Sequence, residues 1–296
     1  MSMSCRKFLS LVGGGFVVAT AVPAATFLAT RTPHKALAPW ETAGSYSDPR
    51  LHAMSYALLA PNPHNRQPWL AELVGTDSVT LYRDKERDLP VTDPYGRQLT
   101  IGMGCFIELM RMAAAEKGYK VENVLMPEGE GGAIAHCKFI AGAADPDPLF
   151  QHVMNRRSHK DMFVERLVDS ATAKQLSPFA DIYFNGEKRT ALQEIAHGAW
   201  LAEASTPAAW QESIDLLRIG KAEINASPDG IDAGGPMLET LAMLGIFSRK
   251  AASDINNPGS RDAIERMAFA VLSAPAFTLN VTDGNTRKDQ LEAGRQ

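Results

Sequence analysis

The sequence predicts an α+β fold in which an antiparallel-rich sheet is packed by helices. Strand-like runs are concentrated in the first half of the chain, helical patterns dominate the later half, and a strand-like run returns near the end. Elements that are segregated in this way, rather than alternating strand by helix, are typical of the α+β class. The 296 residues are 45% apolar and 22% charged, which is ordinary for a soluble globular protein of one large or two modest domains.

The first elements of the fold carry start and stop signals. Asp48-Pro49 supplies an N-cap and a first-turn proline, which predicts a helix that ends at the loop around Pro61 and Pro63. The runs 69–73 and 78–83 predict two strands of a hairpin, because a Gly-Thr-Asp turn signal separates them.

A long helix and two further strands are predicted next. Apolar residues recur at helical spacing over 98–117, and Gly118 follows at the position where a helix commonly ends in the left-handed conformation. The runs 119–126 and 134–140 then predict two strands separated by a loop rich in glutamate and glycine.

The later half is predicted to be mostly helical. Asp147-Pro148 opens a helix that is expected to run into 155–160. The other expected elements are three helices and a closing strand, at 187–204, 207–220, about 261–272 and 277–282.

The N-terminal segment, residues 1–30, is predicted to be an export signal. A basic start is followed by an uncharged run from Phe8 to Leu28 with small residues at possible cleavage sites. The start Ser-Cys-Arg-Lys-Phe-Leu resembles a twin-arginine (Tat) signal with Cys5 in place of the first arginine. Export to the periplasm is therefore expected. Retention as an inner-membrane anchor is the alternative, since the run could span a bilayer of about 30 Å. Residues 31–46 are rich in Thr, Pro and Ala and predict a linker.

Charge and motif content exclude several function classes. The net charge of −4, with scattered Lys and Arg, argues against nucleic-acid binding. The three cysteines and seven histidines show no spacing typical of a metal site, so no metal is predicted. GxSxG and GxxxxGK[ST] motifs are also absent from the sequence, and no catalytic side chain is assigned.

The stretch 60-APNPHNRQPW-69 is the first candidate site. Pro61 and Pro63 fix the backbone on either side of Asn62. Asn62 and Gln67 each precede a proline and are pushed toward extended conformations, so ordering the loop costs little entropy. An Asn amide has two donors and an acceptor, which suits a ring with adjacent N–H and C=O groups. A structural turn capped by Asn65, with Trp69 in the core, is an equal alternative from the residues alone.

The stretch 155-NRRSHKDMF-163 is the second candidate site. Two adjacent arginines, a hydroxyl and a lysine could hold a phosphate through charge-assisted hydrogen bonds. The alternative is a solvated helix C-terminus, where basic residues interact favourably with the helix dipole.

Both stretches resemble motifs of the nitroreductase-like flavoproteins, and among them of the fused-repeat Acg subfamily. The first motif of that subfamily, Ala-Pro-Ser-x-His-Asn-x-Gln-Pro-Trp, matches 60–69 with Asn62 in place of Ser. The second, Arg-Arg-Arg-Thr-Asn-Arg-x-x-Phe, is matched by Arg156, Arg157, Ser158 for Thr, Lys160 for Arg, and Phe163. Further similarity lies in 81–104, 229–231, 273–282 and 293–295.

The resemblance implies a nitroreductase-like fold of two fused repeats that form a pseudo-dimer within one chain. The repeats would occupy 47–150 and 151–296, the second being C-terminally short and carrying a possible lid at 206–256. Each chain would then act as a monomer with one FMN site, because the loop of the first repeat faces the basic segment of the second.

The resemblance also implies a role for each site residue. Residues of the first motif would contact the flavin ring or ribityl chain, and residues of the second motif would bind the phosphate. The expected cofactor-binding residues are Pro61, Asn62, His64, Asn65, Gln67, Arg156, Arg157, Ser158 and Lys160.

The function that the resemblance implies is an FMN-dependent oxidoreductase. Electrons would pass from NAD(P)H or another donor to nitro compounds, quinones or similar acceptors, with membrane contact only through an uncleaved N-terminus. Two alternatives are a protein that binds or sequesters flavin, and a degenerate pseudo-enzyme without turnover.

Overall fold

The computed structural model describes residues 30–142, 144–164, 166, 168–280 and 284–296. It confirms a mixed α+β fold with an antiparallel sheet. The predicted export signal or anchor lies outside the described residues, apart from Thr30. Within the described ranges, no helix is long and apolar enough to cross a membrane.

Among its described residues, the first half has three α-helices and four strands. In chain order they are α1 (His34–Thr42), α2 (Pro49–Ala57), β1 (Trp69–Val74), β2 (Ser78–Arg83), α3 (Arg97–Ala115), β3 (Tyr119–Leu125) and β4 (Ala135–Ala141). The strands form one antiparallel sheet in the order β1-β2-β4-β3. These bounds confirm the predicted hairpin, long helix and second strand pair. The predicted linker is not irregular throughout, because it contains α1.

The second half has eight helices and four short strands among its described residues. They are α4 (Ser170–Leu176), β5 (Asp181–Tyr183), α5 (Gly186–Ser205), α6 (Pro207–Asp215), β6 (Leu217–Ile219), α7 (Gly220–Ala226), β7 (Ile231–Ala233), α8 (Pro236–Met243), α9 (Arg249–Ser253), α10 (Pro258–Ser273), β8 (Phe277–Leu279) and α11 (Arg287–Arg295). Strand β5 pairs with β8 antiparallel, and β6 pairs with β7 parallel.

Two predicted helices of the second half were wrong in extent. Asp147 does accept a hydrogen bond from the Leu149 backbone, but only a 3₁₀ segment, Pro148–His152, follows it. Residues 156–160 have no regular structure, so the basic segment is not a helix C-terminus. The helix predicted over 207–220 ends at Asp215, because the chain enters the parallel pair at Leu217.

Helix α3 is the centre of the hydrophobic core. Met103, Phe106, Ile107 and Met110 are at most 1% exposed, and the ring of Phe106 lies 5.0 Å from that of Trp69 on β1. The sheet, α2 and α11 all pack around this helix. Burial raises the pKa of the Cys137 thiol on β4 to about 12, so it behaves as a small buried side chain rather than a nucleophile.

Two glycines of α3 allow the backbone of other segments to approach closely. A Cβ at Gly104 would overlap the carbonyl oxygen of Leu291 on α11, and a Cβ at Gly294 would overlap that of Ile101. A Cβ at Gly102 would lie 3.2 Å from the Cβ of Asn62. The same turn of α3 therefore supports both the C-terminal helix and the candidate site loop.

Candidate functional site

A cavity of about 1160 Å³ lies between the two halves of the chain. It is somewhat larger than most small-molecule sites, which measure about 300–1,000 Å³ and are mostly apolar with a few placed polar groups. All nine residues predicted from the two motifs line it, namely Pro61, Asn62, His64, Asn65, Gln67, Arg156, Arg157, Ser158 and Lys160. The fold thus brings two segments that are distant in sequence to one space.

The site loop, residues 61–68, has an unusual backbone. His64, Asn65 and Gln67 have φ angles of +48°, +51° and +50°, in the left-handed region that non-glycine residues seldom adopt. Gln67 is therefore not in the extended conformation that its position before Pro68 predicted. Such conformations cost free energy, and they persist where surrounding contacts hold them, often at binding sites.

Hydrogen bonds within the loop stabilise this backbone. Asn62 Oδ1 accepts from the Gln67 backbone N–H at 2.8 Å, and Asn65 Oδ1 accepts from Gln67 Nε2 at 2.6 Å. Asn65 Nδ2 donates to the Pro228 carbonyl at 3.0 Å, and the Gly230 N–H donates to the Asn65 carbonyl at 2.9 Å. The amide of Asn65 is thus bonded to protein atoms and fixes the loop against 228–230.

Arg66 also holds the site loop, and the sequence did not identify it. Its guanidinium pairs with Asp229 at 2.5 Å and donates to the carbonyls of Glu86 and Arg87. Arg218 contacts the other oxygen of Asp229 at 3.2 Å. Burial would raise the pKa of Asp229, but hydrogen bonds from Ser227 and Arg218 and the charge of Arg66 hold it below its usual value. The similarity noted at 229–231 was the available signal.

The basic segment supplies cations that face the cavity. Arg156 donates to the Leu59 carbonyl at 2.6 Å, which ties its side chain to the short segment between α2 and the site loop. Arg157 lies 3.5 Å above the ring of Trp40 on α1 and donates to the Met154 carbonyl. Within the described part of the chain, no carboxylate forms an ion pair with Arg156, Arg157 or Lys160. Their positive charge is available to an anion.

His64 presents a polar atom of a different kind. Its Nδ1 is buried and has no hydrogen-bond partner among the described residues. Burial lowers the pKa of the imidazole, the charges of Arg66 and Lys160 lower it further, and Glu212 opposes them. The imidazole therefore stays neutral down to a lower pH than usual, and its Nδ1 could form a hydrogen bond with a ligand.

The second half forms the apolar wall of the cavity. Trp200 and Trp210 are fixed in it, because their indole N–H groups donate to the Ile264 and Ala252 carbonyls at 3.0 and 2.9 Å. The segment predicted as a lid, 206–256, contributes residues of α6, α8 and α9 to this wall. In the described ranges, no group of three or more His, Cys, Asp or Glu side chains could hold a metal ion.

Comparison with known proteins gives a partial match. No family model matches the chain. A stretch of 68 residues is 40% identical to proteins of two strains of Mycobacterium tuberculosis, each named "Putative NAD(P)H nitroreductase acg". This stretch covers 22% of the chain, and the match spans about a fifth of the relatives, 20% of their length. It supports a nitroreductase-type oxidoreductase at the level of the family.

Proposed function

We propose that the protein is an FMN-dependent oxidoreductase of the nitroreductase type. One observation carries the proposal. The two motifs, which are far apart in sequence, line a single cavity, in which the polar site loop shares the lining with basic side chains that have no carboxylate partner among the described residues. The match to the mycobacterial relatives supports the same reaction class.

The donor set suits a phosphate at one end of the cavity. Arg156 and Arg157 can each offer paired N–H donors to phosphate oxygens, while Ser158 adds a hydroxyl and Lys160 a point charge. Trp40 packs against the Arg157 guanidinium, so part of the entropy of ordering that side chain is already lost before a ligand binds.

The site loop suits a flat, polar ring. Its backbone is held in the left-handed region by Asn62, Asn65 and Arg66, so its groups are ordered before binding. The Nδ1 of His64, which has no partner in the described part of the chain, can form a hydrogen bond with a ligand, and Pro61 and Gln67 border the same space. In this arrangement Asn65 acts chiefly by positioning the loop.

The bound flavin would supply hydride or electron transfer between NAD(P)H, or another donor, and nitro, quinone or similar acceptors. The residues of this chain bind and orient it. The basic cluster holds the phosphate, the loop orients the ring, and the wall formed by α6, α8 and α9 limits the access of water. This reaction class requires no protein nucleophile.

We also propose the domain organisation that the motif order implies. Residues 47–150 and 151–296 would be two repeats of a pseudo-dimer with one FMN site per chain. Support comes from the division of the cavity, whose loop belongs to the first part and whose basic cluster and wall belong to the second. Export of the chain to the periplasm stays a prediction from its N-terminal sequence.

A flavin-sequestering protein is the second candidate, and the wall over the cavity favours it. If 206–256 covers the ring face, flavin would be held without turnover. A degenerate pseudo-enzyme would bind no flavin.

Reduction and reoxidation of the purified protein separate these functions. We expect a yellow protein whose flavin absorbance is bleached by NAD(P)H and recovers with a nitroaromatic or a quinone. A yellow protein whose flavin is bleached by dithionite, a chemical donor, but not by NAD(P)H favours sequestration. A colourless protein that takes up no added FMN contradicts both flavin functions.

A further inference from the structure

Helix α8 and the turn after it expose several large apolar residues. Met237, Met243, Leu244 and Ile246 are 69%, 76%, 67% and 61% exposed, although they lie within one short stretch of chain. A cluster of this kind is unusual on a soluble surface and commonly marks an interaction site. We refer to these four residues as the α8 face.

The first described residues of the chain, Thr30 and Arg31, lie beside this helix. Glu239 of α8 is nearly buried and pairs with Arg31 at 3.0 Å, and its other oxygen accepts from the Lys221 backbone N–H at 3.1 Å. Lys221 Nζ in turn donates to the Thr30 carbonyl at 2.7 Å. These contacts fix residues 30 and 31 against α8, next to the exposed apolar side chains.

The sequence before this point suggests what covers the α8 face. Residues 8–30 carry no charge, and Arg6 and Lys7 precede them. If the chain keeps this segment, which is the inner-membrane anchor alternative given above, the segment is long enough to span a bilayer and its end would place α8 beside the membrane surface. We propose that the α8 face docks onto the surface of the bilayer in which the leader is held.

Charge around the α8 face suits the same partner. Lys221 lies between α8 and Thr30, and Lys250 follows the face in sequence at the start of α9. Lysines beside an apolar surface are attracted to anionic lipid headgroups, while the apolar side chains enter about 5–10 Å into the headgroup boundary. The one carboxylate of α8, Glu239, is turned inward to Arg31.

Docking would also orient the cavity. Met237 and Ile246 belong both to the α8 face and to the cavity lining, so this side of the cavity would open toward lipid. The inference does not depend on FMN, and its test requires no cofactor. A second copy of the chain is the competing occupant of the face.

Site-specific fluorescence on the full chain tests the inference. In a Cys5→Ser background, Met243→Cys and Val124→Cys receive the same polarity-sensitive label, and the unsubstituted background chain measures labelling at the less accessible Cys105 and Cys137. Val124 on edge strand β3 is 59% exposed and is the matched control. Each chain is reconstituted into vesicles of phosphatidylethanolamine and phosphatidylglycerol.

We expect a blue shift at position 243 and quenching by nitroxide-bearing lipids, with neither at position 124. Equal responses at the two positions would overturn the inference. A blue shift at 243 that follows protein concentration and ignores quencher lipids would also overturn it, by assigning the face to a second copy. Flavin content plays no part in either outcome, so failure here leaves the proposed oxidoreductase function intact.

Discussion

The two halves of the chain are built differently around the same cavity. Apart from Leu291, the largest fully buried side chains all come from residues 68–137, where α3 packs against a four-stranded sheet. In the described residues of 151–280, the buried apolar side chains are mostly alanines, and the strands are three residues long. The first half, closed by α11, is therefore a scaffold that contains the core, whereas residues 151–280 contribute mainly a wall.

This difference has a physical consequence for ligand binding. A segment with little buried apolar surface has low local stability, because burial is the dominant favourable contribution to folding. A ligand that fills the cavity contacts both halves, but the apolar surface that it buries is a larger fraction of the total in the half that lacks a core. We expect the second half to gain more protection from FMN than the first.

The largest effect should come from emptying the core of the scaffold. Phe106→Ala removes a ring that is 1% exposed, which should cost about 3–5 kcal/mol of unfolding free energy. Phe269→Ala, on helix α10, removes a ring that is 50% exposed and should cost about 1 kcal/mol or less. Urea unfolding of both variants measures the contrast. Equal costs would show that the second half has a core of comparable quality.

The second-largest effect should come from breaking the ion pair between Asp229 and Arg66, which links the two halves, and this effect should depend on pH. Asp229→Asn removes a charge that holds Arg66 and the site loop, which should cost about 1.5–3 kcal/mol near neutral pH. Because the folded-state pKa of Asp229 lies below its usual 3.8, its contribution is present above that pH and is lost as the pH falls through the folded-state value.

Unfolding curves over a pH series test this dependence. The difference between the native protein and Asp229→Asn should narrow below about pH 4, where the unfolded carboxyl binds its proton. Asp215→Asn, at an exposed position without an ion pair among the described residues, is the control and should change little. A cost that is constant with pH would mean that the carboxylate charge of Asp229 does not hold the loop.

Smaller effects of opposite sign should follow from two glycines. Gly104→Ala forces a methyl group onto the Leu291 carbonyl and should cost about 1–3 kcal/mol. Gly198→Ala, inside α5, meets no described atom within 4 Å and should stabilise by about 0.5–1 kcal/mol. Thermal unfolding reads out both changes. A loss at Gly198 would indicate closer packing of the second half than its burial suggests.

The scaffold was predictable because local signals agree with its tertiary packing. Alternation over 78–83 and 134–140, the turn at Gly75 and the stop at Gly118 each act within a few residues. The second half gave weaker signals. Its parallel pair, Leu217–Ile219 with Ile231–Ala233, depends on contacts that span a helix, so the pattern continued as a helix past Asp215.

The grouping of the motif residues around one cavity could be predicted from the sequence, but the conformation of the site loop could not. The two motifs supplied nine of the residues that line the cavity, but no sequence rule places His64, Asn65 and Gln67 in the left-handed region. That backbone depends on Arg66 and Asp229, which are separated by 163 residues. Long-range ion pairs of this kind produce no periodic pattern in the sequence from which they could be predicted.

Binding of FMN and riboflavin by the same protein tests the central claim most directly, because the two ligands differ only in the phosphate. If the basic cluster holds the phosphate, FMN should bind roughly tenfold or more tightly than riboflavin, as a charge-assisted contact of about 1.5–3 kcal/mol requires. Arg157→Ala should remove most of this difference by weakening FMN alone, whereas Arg261→Ala, outside the cavity lining, should preserve it. Equal affinities for the two flavins in the native protein, or binding of neither, would contradict the account.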